Sequence, residues 1–82
     1  MSERKMMNMK DAEKLIGHFL VLYRDGVKTP AKIVKVDVEK HRIHYDLIAG
    51  DMQGQRCSGK YYDSQNVYVY DRDNLSLALL ET

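Results

Sequence analysis

The sequence predicts a mainly β fold, a small antiparallel barrel of five or six strands with one short N-terminal helix. Three observations carry that expectation. Residues 27–48, VKTPAKIVKVDVEKHRIHYDLI, are two β-rich runs on either side of a charged bend. Short runs recur along the rest of the chain with polar turns between them and no long crossover helix, so the strands should pair antiparallel. Gly and Asp stand at the corners, and closing a small sheet into a cylinder removes its exposed edges.

The elements follow in order. Residues 1–7, MSERKMM, carry neither a strand nor a turn signal and are expected to be flexible. A helix is expected over 9–16. Asn8 can cap it, Asp11 stands in the spacing of a capping box, and Gly17 can end it. Met9, Ala12, Leu15 and Ile16 follow helical spacing, leaving Lys10, Asp11, Glu13 and Lys14 to solvent. This helix should lid one end of a barrel that occupies residues 18–80.

His18–Tyr23 is aromatic and β-branched enough to be the first strand, and Arg24-Asp25-Gly26 supplies a tight turn. Pro30 cannot donate to a ladder, so it belongs at the start of the second strand or on an edge. From there to Val38 the alternation changes parity once. Ala31 and Ile33 share one face, Val34, Val36 and Val38 the other, which is the mark of a β-bulge at a barrel corner. Glu39-Lys40-His41 makes the tip, and Ile43, Tyr45 and Leu47 then alternate against Arg42, His44 and Asp46.

Residues 49–54 read as a loop by their two glycines. Residues 55–62 read as a weak strand interrupted at Ser58-Gly59, and 63–66 as a turn. In VYVYD, Val67 and Val69 should face inward, with Tyr68 and Tyr70 turned the other way. Residues 71–74 form another turn, and LSLALL ends the chain as a final strand or a helical turn, with Leu75, Leu77 and Leu79 on one face.

Composition narrows the function. Eighty-two residues make one domain, 1–82. A chain of this size buries only about 60% of its unfolded surface, so self-association into a homo-oligomer is expected. Thirteen Lys and Arg against twelve Asp and Glu leave a net charge of +1, which argues against non-specific duplex DNA binding. A single cysteine cannot form an internal disulfide, which places the chain in a reducing cytoplasm. The longest apolar run, Phe19–Tyr23, falls far short of the roughly 20 residues a membrane-spanning helix needs.

The central hairpin resembles the Tudor and chromo-barrel branch of SH3-like barrels. The resemblance rests on Pro30, Ala31, Ile33, Val36 and Asp37 before the bend and on Ile43 and Tyr45 after it. It covers fewer than twenty residues, follows a core pattern, and implies an SH3-like barrel fold. Where members of that branch that read methylated side chains add further aromatics, this chain has Leu47, Ile48 and Ala49 and contains no tryptophan.

No catalytic or metal site is expected. His41 and His44 are three residues apart and would point to opposite faces of a strand. Cys57 reads as a small buried residue, and the Asp71, Asp73, Asn74 group lacks the glycine and glutamate of a calcium loop. Neither the serines nor the glycines form a nucleophile turn or a phosphate loop. No cofactor is expected. The remaining candidate site is a surface of rings and cations: Tyr62, Tyr68, Tyr70, Arg56, Lys60 and Arg72. Such side chains suit a protein partner first, with nucleotide or single-stranded RNA as the alternative. That alternative includes an oligomer that encloses and sequesters a nucleotide, of the kind a phage or mobile element would carry. A self-assembling structural subunit is a third expectation.

Overall fold

The structure is a computed structural model and describes residues 5–80, apart from the side chain of Arg24. It is mainly β. Strands β1 (Lys5–Asn8) and β6 (Asn66–Val69) pair antiparallel as a two-stranded ribbon. Strands β2 (Phe19–Arg24), β3 (Val27–Asp37), β4 (Arg42–Leu47) and β5 (Arg56–Lys60) form a four-stranded antiparallel meander in that order. A 3-10 segment, Met9–Leu15, follows β1, and an α-helix, α1 (Arg72–Leu80), follows β6. The sheets meet at one corner, where Phe19 and Tyr70 exchange two backbone hydrogen bonds of 2.9 Å.

The two sheets do not close into the expected barrel. Among the described residues, β5 pairs only with β4 and β1 only with β6, so both keep a free edge. A cation stands on each: Lys5 on β1, Arg56 and Lys60 on β5. Edge charges of this kind discourage chain-to-chain pairing.

The expected N-terminal α-helix is also corrected. Met9, Ala12 and Leu15 recur every three residues, which stacks them on one side of a 3-10 turn, whereas an α-helix would smear them. All three are buried and Ile16, the fourth residue expected inward, is exposed. Asn8 caps the segment as expected, accepting the Lys10 N–H at 2.9 Å, but Asp11 has non-helical backbone angles and kinks it. Gly17, at φ +90°, ends it. The true helix is C-terminal. Residues 71–74, expected as a turn, are its first turn, with Leu75 and Ala78 buried and Leu77 exposed. The stretch expected to be flexible holds a strand at residues 5–7, and residues 1–4 lie outside the described part.

Other local readings agree with the coordinates in part. Asp25 and Gly26 both have positive φ (52° and 78°), as a two-residue type I′ hairpin requires, and Arg24 pairs with Val27 across it. Pro30 does not start its strand as expected: β3 begins at Val27, and Pro30 lies inside it, opposite Val21 of β2. The β4 ladder begins only at Ala31–Leu47, so Pro30 has a strand on one side alone. The ladder shifts between Ile33 and Lys35, which is the expected bulge. The interruption expected at Ser58-Gly59 is absent: both residues stay in the β5 ladder, Ser58 opposite His44 and Gly59 opposite Ile43.

The core lies between the ribbon, the 3-10 segment and one face of the meander. Met9, Ala12, Leu15, Leu20, Ile33, Tyr61 and Val69 form it, flanked by Met7, Leu22, Val36, Ile43 and Val67. Of the residues that carry the Tudor resemblance, Ala31, Ile33, Val36, Ile43 and Tyr45 lie on this face. α1 packs against β2 and β3 on the other face, where Lys28 Nζ donates to Ala78 O at 2.9 Å.

Candidate functional site

Ladder partners project to the same side of a sheet, so the β3–β4–β5 register sorts every side chain on these strands. The face away from the core carries three rows: Lys32, Asp46 and Arg56; Lys35, His44 and Ser58; Asp37, Arg42 and Lys60. The bulge makes this arrangement. Without the register shift, Lys32 would share its face with Val34 and Val36. With it, Lys35 joins Lys32 outside and Val36 returns to the core. Strand spacing puts neighbouring side chains about 5 Å apart within a row and successive rows about 7 Å apart.

Five cations stand here against two carboxylates, an excess of three. The whole chain carries only +1, so the remainder is net negative by two. Among the described residues α1 packs mainly against β2 and β3, and all five cations on the rows are exposed. The carboxylates are partly occupied. Arg56 makes a bidentate pair with Asp46, Nε to Oδ1 at 2.7 Å and a second nitrogen to Oδ2 at 3.1 Å. That hydrogen bond holds the Asp46 carboxyl below its usual range and raises Arg56 in turn. Asp37 Oδ1 accepts the Lys40 N–H at 3.1 Å, which shapes the β3–β4 turn. Arg42 donates to Ser58 Oγ at 3.3 Å, and neither Lys32 nor Lys35 has a partner among the described residues.

The six residues expected to form one patch are dispersed. Lys60 and Tyr62 stay together, with Nζ 5.3 Å from the ring centroid, and Tyr62 is 56% exposed at the edge of the basic face. Arg56 occupies the opposite end of β5, tied to Asp46. Tyr68 faces outward from the ribbon opposite Met6, while Val69 is buried, as alternation required. Tyr70 is half-buried at the corner between the sheets, and Arg72 lies on the first turn of α1. Lys32, Lys35, Arg42 and His44 were missed as site residues. The polar face of β4 was legible in its alternation, but only the register adds β3 and β5 to it.

A second polar feature closes one end of the core. His41, at φ 54° in the β3–β4 turn, places Nε2 3.4 Å from Asp63 Oδ1 and its ring 5.2 Å from that of Tyr61. Tyr61 donates its N–H to His41 O at 2.8 Å. Burial, then the Asp63, Glu13 and Asp37 carboxylates, push the Tyr61 hydroxyl above its usual pKa. A groove of about 350 Å³ runs here between the 3-10 segment, Val38 and these rings. His41 and His44 do not converge, and no group of three or more His, Cys, Asp or Glu among the described residues is placed to hold a metal ion. Cys57 is half-buried on the core face opposite Tyr45. No helix among the described residues is long and apolar enough to cross a membrane.

The chain matches no protein-family model, no curated protein and no solved structure.

Proposed function

We propose that the chain is a non-enzymatic binding module that holds single-stranded nucleic acid, RNA in the first instance, against the uncovered β3–β4–β5 face. The observation that carries this reading is the concentration of Lys32, Lys35, Arg42, Arg56 and Lys60 on one open face of a chain that is otherwise net negative. Cations in such an array neutralise successive phosphates and release their counterions, which supplies affinity without reading sequence. Tyr62 at the edge, His44 in the middle row and the two guanidinium planes give bases surfaces on which to stack. A broad three-stranded face does not enter a duplex groove, which admits a helix or a two-stranded ribbon, so a single strand fits it better.

A protein partner is the second reading, favoured by the exposed Met6–Tyr68 pair on the ribbon and by Tyr62. It fits the basic face less well, because the centres of protein interfaces are depleted in lysine. Fluorescence anisotropy with labelled oligouridylate tests the nucleic-acid reading. Binding should weaken with salt at a log–log slope of about −3, from some four phosphate contacts at roughly 0.7 each. No binding at low salt, or binding that ignores salt, would return the partner reading to first place.

A further inference from the structure

We infer that the cleft between the tip of the β2–β3 hairpin and the β4–β5 loop binds small organic cations that have an apolar body. It lies on the core-side face of the meander, at the end the ribbon and the 3-10 segment leave uncovered, and so on the opposite side from the basic rows. Its volume is about 450 Å³, within the range of sites that take small molecules. Val27, Thr29, Leu47, Ala49 and Met52 line it, with the carboxylates of Asp25 and Asp51 beside them. Leu47 is almost fully buried beneath the cleft, whereas Val27 is 61% and Met52 45% exposed, so both can meet a ligand directly.

Both walls are built before any ligand arrives. The hairpin tip is fixed by its two residues of positive φ, which sets the position of Asp25. The loop is closed on itself and on its strand: Gly54 N–H donates to Leu47 O at 2.7 Å, Gln55 N–H to Met52 O at 3.0 Å, and Ile48 N–H to Pro30 O at 3.1 Å. A ligand therefore meets preformed surface and little ordering cost. Neither Asp25 nor Asp51 has a hydrogen-bond or ion-pair partner among the described residues. Apolar walls flanked by two unpaired carboxylates complement an aliphatic or aromatic body ending in an ammonium or amidinium group. The same carboxylates repel phosphate, so this site and the basic face select opposite charges.

Phenethylammonium, its neutral isostere 2-phenylethanol and anionic 3-phenylpropionate test the assignment by titration into the ¹⁵N-labelled full chain. The cation should shift the amides of Val27, Leu47, Gly50 and Met52 and bind about three- to tenfold more tightly than the alcohol, the contribution of one or two exposed charge pairs. The anion should bind most weakly. Asp25→Asn combined with Asp51→Asn should bring cation and alcohol to equal affinity. Asparagine tolerates positive φ as well as aspartate does, so this variant should keep the parent amide spectrum. Equal binding of cation and alcohol by the parent chain, cation binding untouched by the double substitution, or shifts confined to other residues would each overturn the assignment.

Discussion

The two faces of the four-stranded sheet are written by the same strands and end in opposite circumstances. On β4, Ile43, Tyr45 and Leu47 face the core while Arg42, His44 and Asp46 face solvent. The inner face is covered over most of its length by the 3-10 segment and the ribbon. On the outer face α1 packs against β2 and β3, at the end of the sheet where the register turns Phe19, Val21 and Pro30 outward. Beyond that point the helix ends, and what remains is charge. Coverage follows from chemistry: burying Lys32 or Lys35 without a partner would cost far more than packing returns. The difference teaches that stability should depend on one face and binding on the other.

The largest test of that separation is a deletion inside. Ile33 is fully buried at the centre of the core, and Ile33→Ala should destabilise the chain by about 2–5 kcal/mol in urea denaturation. Lys35→Ala, two residues on and facing out, should change it by less than about 0.5 kcal/mol. Comparable losses would mean that the faces are not independent. The complementary experiment removes Lys35, Arg42 and Lys60 together. The salt slope for oligouridylate should flatten by about 2, with thermal unfolding close to that of the parent. Unchanged binding with a lowered melting temperature would invert the assignment.

A smaller effect sharpens the boundary between core and solvent. Tyr61 is only 3% exposed, and burial and neighbouring carboxylates raise its pKa above the ordinary 10.0. Its folded pKa exceeds its unfolded one, so its contribution to stability is complete below pH 10 and is lost as pH rises through the folded value. Stability should therefore begin to fall above about pH 10, and Tyr61→Phe should remove that dependence. An alkaline profile identical in the two proteins would show that the hydroxyl is not held as described. The smallest effect belongs to His41→Gly. Relief of positive φ gains about 1 kcal/mol and loss of the half-exposed Asp63 pair costs about as much, so the net change should stay below about 1 kcal/mol.

Much of the sheet was legible because its signals are local. Asp25-Gly26 names its own turn, the β4 alternation separates its faces, and the parity change before Val36 marks the bulge. The barrel was not legible, since closure depends on whether distant edges meet, and no residue of β1 or β5 encodes that alone. The 3-10 segment could have been read from the strict three-residue spacing of Met9, Ala12 and Leu15; adding Ile16 to the stripe hid it. The C-terminal helix was obscured because Leu75, Leu77 and Leu79 alternate like a strand, while its true buried pair, Leu75 and Ala78, is spaced by three. The candidate patch is dispersed for a related reason. Its six residues are near in sequence from 56 to 72, but they lie on two sheets and a helix. The basic face draws on β3, β4 and β5, which only the register brings together.

The most direct test of the central claim is to map where a single strand of about ten nucleotides touches the ¹⁵N-labelled chain at low salt. The account requires the shifts to concentrate at Lys32, Lys35, Arg42, His44, Ser58, Lys60 and Tyr62 and to vanish as salt is raised. Shifts centred on Met6 and Tyr68, or no shifts at any salt, would contradict it.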